Sequence, residues 1–209
     1  MKTAYPLLFT PITKTMVWGT ESWDITCRPA EMGIVQNGPL AGEKFSAILD
    51  GEKFPLLVKI IDAKDALSIQ VHPDDSKSDG INTGKSEMWY ILEPPTDGRL
   101  IIGLTPGTTK ADLEAAYKAG TVEDLLNYVT VKKGDMIDIP PGLIHALTPG
   151  VKVAEVQQNS DITYRLYDYN RLGLDGQPRE LHVAEALEVS DFDAKPAIVE
   201  QVKNKYFTV

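Results

Sequence analysis

Short segments in which apolar and polar residues alternate recur along most of this chain, each closed by glycine, proline, asparagine or aspartate. They are SWDITC, KFPLLVKIID, LSIQVH, EMWYIL, LIIGL, DMIDIP, VKVAEVQQ and ITYRLYDY. Successive side chains on a strand point to opposite faces, so each segment can turn one face to a core. Many short strands divided by turn signals suggest a β-sandwich or barrel, and the fold class is read as mainly β. Helical patterns interrupt this in three places. In TTKADLEAAYKAG, Leu113, Ala116 and Tyr117 share a face and Gly120 is a fitting stop. TVEDLLNYV follows with Thr121 as N-cap and acidic residues in its first turn, and a third helix runs through LHVAEALEV. The first two lie between strands, so they form a small helical insertion at about residues 108–129 that either caps the site or, on the plainer view, covers a sheet edge. No linker splits the chain, and residues 1–209 read as a single domain.

The 43% hydrophobic and 24% charged shares are those of an ordinary soluble globular protein. Cys27 is the only cysteine, which rules out an intramolecular disulfide and suits a reducing compartment. The most apolar run is short and carries Lys59, so no membrane span is expected. The start, MKTAYPLLFTPITK, is broken by Pro6 and no cleavage signature follows, which makes the expected location cytoplasmic. A net charge of −9 without any Lys/Arg cluster argues against nucleic acid as a partner. It leaves room for a small anionic substrate, because a few basic groups in a cleft can dominate the local field.

In LSIQVH, Leu67, Ile69 and Val71 fall on one face, and Ser68, Gln70 and His72 on the other. That polar face meets either bulk water or a polar cavity. Gln70 and His72, two apart on a strand, project to one side roughly 7 Å apart and can converge on an ion. Glu87 opens the strand EMWYILE, where its alternation partners Trp89 and Ile91 point to a buried side, and a carboxylate there needs a cation. His145 follows a Pro-Pro-Gly turn in GDMIDIPPGLIHAL. A mixed nitrogen and oxygen shell from such residues suits zinc, manganese, iron or nickel. The remaining histidine, His182, lies near the start of a helix and reads as a packing or capping residue. Trp18 and Trp23 read as packing residues, and Asp74 and Asp75 as a turn with a solvated edge.

From Gly134 the chain runs G-x5-P-x-G-x2-H through Pro140, Gly142 and His145, which resembles the second cupin motif, with Pro149 where that motif usually has asparagine. Gln70, His72 and the later Glu87 resemble an altered first cupin motif, in the form found in type I phosphomannose isomerases. The segments PLLVKIIDAKDALSIQVHPDD, GKSEMWYIL, PPGLIHAL and EVQQNSDITYRLYDYNR, with NGPLAG and LHVAEALEV, look like the short bacterial form of that family over most of the chain. The resemblance implies a cupin β-barrel or jelly-roll sandwich and a metal shell of Gln70, His72, Glu87 and His145, normally holding one Zn2+ per chain. It implies an active-site arginine at Arg165 and a K-x-E lysine at Lys85. VWGTESWDIT is shorter than the family's usual loop there, and Gly84 stands where many members carry histidine.

The implied reaction interconverts mannose 6-phosphate and fructose 6-phosphate through an enediol, with a sugar phosphate as partner and a chain acting as monomer or weak homodimer. A divalent metal would polarise the carbonyl and hydroxyl oxygens, Lys85 would serve as base, and Arg165 would stabilise the oxyanion or orient the substrate. Ser68, on the same polar face, and Arg171 are candidate substrate-binding residues. Two alternatives stand beside this reading: a non-catalytic sugar-binding cupin, and another metal-dependent cupin enzyme such as an iron dioxygenase. Glutamine in place of a histidine points away from oxygen chemistry.

Overall fold

A computed structural model of the chain describes residues 5–77 and 83–199; the opening Met1–Ala4, part of the segment read above as free of a targeting signal, lies outside them. Two antiparallel sheets face each other. Strands β1 (Ile12–Met16), β2 (Gly19–Ile25), β3 (Leu56–Ala63), β5 (Glu87–Glu93), β8 (Met136–Ile139), β10 (Lys152–Gln158) and β12 (Ala197–Val199) make one, in the order β1-β2-β3-β10-β5-β8-β12. Strands β4 (Ile69–Val71), β6 (Arg99–Leu104), β7 (Leu126–Thr130), β9 (His145–Ala146) and β11 (Tyr164–Tyr167) make the other, in the order β11-β4-β9-β6-β7. This is the expected mainly β sandwich, and among the described residues no helix is long and apolar enough to cross a membrane.

Alternation explains why each strand sits where it does. On β3 the buried positions are Leu57, Lys59, Ile61 and Ala63, on β5 Glu87, Trp89 and Ile91, and on β10 Val153, Glu155 and Gln157. From these inward rows Ile61, Ala63, Trp89, Ile91 and Val153, with Leu100, Ile102, Leu143 and Leu147 from the opposite side, form the core between the sheets. The five-stranded sheet has a second buried face. Ile69, Val71, Ile101, Ala146 and Leu166 pack against helices α2 (Lys110–Ala119) and α3 (Val183–Val189) through Leu113, Ala186 and Leu187. Burying apolar area on both faces leaves β4 without a solvent side, so the polar row Ser68, Gln70, His72 points into the sandwich.

Helix α2 forms as its sequence suggests. Thr109 and Asp112 make a reciprocal capping box, and Gly120 closes the helix at φ +73°. It covers the outer face of the five-stranded sheet rather than a sheet edge. The second middle helix does not exist. Val122–Leu125 is a 3-10 turn, and Leu126–Thr130 is strand β7, paired with β6 from Leu104↔Leu126 to Arg99↔Thr130. Tyr128, Val129 and Thr130 favour a pleated surface, and an adjacent strand edge was available to pair with them. The short helix α1 (Phe45–Leu49) and strands β1, β7 and β12 had no counterpart in the sequence reading.

Candidate metal and sugar-phosphate site

Residues from four separate segments meet at one end of the sandwich interior. Gln70 on β4 pairs in register with His145 on β9 and with Arg165 on β11. Glu87 begins β5 on the facing sheet. The Pro-Pro-Gly turn before His145 is locked to the His72 segment, since Gly142 N–H donates to the His72 carbonyl at 2.9 Å with Gly142 at φ +84°. Lys85 is drawn in by its backbone N–H, which donates to the Pro73 carbonyl at 3.0 Å. Gly84 beside it lies back to back with the Asp74–Asp75 peptide: a Cβ there would come 2.3 Å from the Asp74 carbonyl carbon. Asp75 is more than a solvated edge, because its Oδ1 accepts from Gly84 N–H at 2.8 Å and from Gln158 at 3.2 Å.

Both imidazoles are oriented by the main chain. His72 Nδ1 lies 3.0 Å from the Ile162 carbonyl and His145 Nδ1 lies 2.8 Å from the Leu143 carbonyl. A carbonyl can only accept, so both Nδ1 atoms carry the proton and both Nε2 lone pairs turn toward Glu87. His72 Nε2 is 3.2 Å from one carboxylate oxygen and His145 Nε2 is 3.6 Å from the other. The three residues are buried, and one ligand atom from each lies within 4.8 Å of the others. Burial, helped by the Lys85 charge, pushes His72 down to about 3, and burial lowers His145 as well. Burial would raise Glu87, but Lys85 and His72 outweigh it and hold the carboxyl well below its usual range. At neutral pH the cluster therefore presents two neutral imidazoles and a carboxylate, the protonation states a metal ligand needs.

The donor set fits a divalent metal. Neither Glu87 oxygen has a hydrogen-bond donor in good geometry, although the Lys85 ammonium lies 2.6 Å from one of them and 3.2 Å from His72 Nε2. Gln70 adds an amide: its oxygen accepts from Ser68 at 3.2 Å and its nitrogen lies 3.4 Å from His145 Nε2. A half-turn of that amide exchanges the two atoms and aims the oxygen at the imidazole side. Borderline nitrogen donors with carboxylate and amide oxygens match zinc and its neighbours.

A cavity of about 290 Å³ opens beside this cluster, lined by Ser68, Gln70, Lys85 and Arg165 among the expected residues. Lys59, Glu155, Glu21, Asp161 and Arg179 also line it, and none of these had been singled out as a site residue. The signal for two of them was present in the alternation: Lys59 is in phase with buried Leu57 and Ile61, and Glu155 with Val153. Lys59 sits 3.3 Å from Glu155 and 3.7 Å from Glu21, and Trp89 Nε1 donates to Glu155 at 3.0 Å. Burial works against the Lys59 charge, but Glu155 and Glu21 overcome it and raise its pKa; burial, and then Glu87, push Glu155 up.

Arg171, expected to bind substrate, is not among the residues that line this cavity; its guanidinium is held by Asp168, at 2.6 and 2.9 Å, and by the Ala66 carbonyl. His182 is structural as expected, though it does not cap: its Nδ1 accepts from Arg165 N–H at 3.3 Å. Trp18 and Trp23 are buried, and Trp18 also forms cavity wall.

The family model described as the catalytic domain of type I phosphomannose isomerase matches residues 30–114, a stretch containing Gln70, His72, Lys85 and Glu87. The mannose-6-phosphate isomerase ManA of Bacillus subtilis is 36% identical over 223 residues, covering 93% of this chain and 70% of that protein. This chain belongs to the type I phosphomannose isomerase family. Within the family, the crystal structure of mannose 6-phosphate isomerase from Bacillus subtilis matches with a TM-score of 0.88 at 34% identity, over 97% of this chain and 74% of that one. The mannose-6-phosphate isomerase of Streptococcus mutans is 35% identical over 190 residues, covering 85% of this chain and 59% of that protein. The phosphomannose isomerase match places the two-sheet architecture in the cupin fold.

Proposed function

We propose that this phosphomannose isomerase interconverts mannose 6-phosphate and fructose 6-phosphate through an enediol, as a single cytoplasmic domain over residues 1–209. Its one zinc ion is held by Gln70, His72, Glu87 and His145. The observation that carries this reading is the convergence of two Nε2 lone pairs, each fixed by a carbonyl behind it, on one buried carboxylate beside a cavity that Gln70 and Lys85 line. Family membership supports the choice of reaction. The lone Cys27 supports a reducing compartment.

Bound there, zinc would polarise the sugar carbonyl and hydroxyl oxygens without redox change. The chain's own residues do the rest. Ser68 orients the Gln70 amide and offers its oxygen to the substrate at the cavity wall. Arg165, its Nη1 fixed on the Glu180 carbonyl at 2.6 Å, presents positive charge to the oxyanion that develops as a carbon-bound proton leaves. Lys85, buried at the wall, would move that proton between C1 and C2 from its neutral, amine form. Glu155 faces the same cavity with a raised pKa and is a second group able to hold a proton there. The apolar walls of Trp18, Trp89 and Leu147 keep bulk water from the intermediate.

A coupled assay of mannose 6-phosphate conversion tests the reading. Activity should vanish with a chelator and return with zinc. Fully zinc-loaded protein that turns over no mannose 6-phosphate would sink it, and bound iron with oxygen uptake would replace it with a dioxygenase.

A further inference from the structure

We infer that Arg179 is the specificity-determining residue of this site, binding the phosphate at the end of the sugar remote from the His72–Glu87–His145 cluster. This rests on the isomerase reading and assigns to one residue the preference for a phosphorylated over a free sugar. Two arginines line the cavity, and their positions differ. Arg165 lies beside Gln70 in the β11–β4 register, next to the groups that would hold the metal. Arg179 borders both the cavity and a second hollow formed by Met16, Val17, Gly173, Leu174 and Asp175, which places it at the rim. A substrate whose carbonyl end meets the histidine cluster extends its other end toward that rim.

Charge points the same way. The cavity lysines are matched locally, Lys59 by Glu155 and Glu21, and Lys85 by Glu87. On the arginine side a single buried carboxylate, Asp168, serves two guanidiniums: it holds Arg171 at 2.6 Å and Arg179 at 3.2 Å. Arg165 adds a third positive charge nearby, and after burial the largest influence lowering its pKa is Arg179. Asp161 on the cavity wall and Glu180 beside Arg165 offset part of this charge, and an anion at the Arg179 rim relieves the repulsion that remains among the three guanidiniums. The donors are free to do so. Only Nη1 of Arg179 is engaged, by Asp168, and its Nε and Nη2 have no partner among the described residues. A guanidinium anchored at one corner with its remaining N–H groups open is suited to bidentate contact with phosphate oxygens.

The test uses the zinc-loaded full chain with Arg179→Gln and Arg179→Lys, each checked for an unchanged melting curve. Removing charged hydrogen bonds to phosphate should raise KM for mannose 6-phosphate by roughly tenfold to a hundredfold, with kcat within about twofold. The inhibition constant of inorganic phosphate should rise in step. Arg179→Lys keeps the charge without the fork, so it should show a smaller rise in both, and it decides alone if the glutamine variant fails to fold. An unchanged KM and phosphate constant, or a fall in kcat alone, would overturn the assignment. Should the wild-type chain prove inactive, calorimetric titration of inorganic phosphate still separates the questions. Weaker phosphate binding by the variant upholds Arg179 as an anion ligand while the isomerase reading fails; equal binding removes Arg179.

Discussion

The interior of the seven-stranded sheet divides into two halves built by the same strands. One cross-strand row runs Trp23, Lys59, Glu155, Trp89, Ile137, with an ion pair at its centre. Two residues further along each strand, the row centred on Ile61, Val153 and Ile91 is hydrocarbon up to its β2 end, where Glu21 turns toward Lys59. Both rows lie on the same antiparallel strands. What differs is lateral: Lys59 is tolerated at 4% exposure because the next strand presents Glu155 at 3.3 Å, and Glu87 because Lys85 and two imidazoles surround it. The charged half costs desolvation that the dry half does not, and such a cost is retained where the groups serve a site.

The largest effect should come from Glu87→Gln. It is expected to abolish metal retention, read by elemental analysis after dialysis, and to lower turnover by about a thousandfold or more. A fully active, metal-loaded variant would remove Glu87 from the site. Next is Lys59→Met, which strands Glu155 and Glu21 and should cost about 3–5 kcal/mol in chemical denaturation. The double variant Lys59→Met/Glu155→Leu should recover most of that stability while staying inactive; if it regains activity, the pair is structural only and the division between the halves fails. In the dry half, Ile91→Ala should cost about 3 kcal/mol yet leave KM for mannose 6-phosphate unchanged in the folded fraction. A shifted KM there would show that the two halves are coupled. Smallest is Thr109→Ala at the α2 capping box on the outer layer, expected to cost about 1 kcal/mol and to leave activity untouched.

Much of the fold and of the candidate site was legible because both depend on local alternation. The inward direction of Gln70, His72 and Glu87 followed from their strand phase, and the turn that delivers His145 from Pro140 and Gly142. Lys59 and Glu155 were legible in the same way, but neither stands out in the sequence because the partner of each lies on a distant segment. The TVEDLLNYV helix failed for the opposite reason: its start signals were sound, but β6 offered Leu126–Thr130 a sheet edge.

Taken alone, the sequence determined the mainly β class, the face each strand would bury and the donor atoms available to a metal. These are consequences of side-chain chemistry and of a backbone period that any short segment expresses. Only the tertiary structure decided which strands became neighbours. That choice paired Lys59 with Glu155, committed Arg171 to Asp168 and turned Arg179 to the cavity. Lateral pairing is set by hydrogen bonds and packing between segments far apart in the chain, so no local pattern records it.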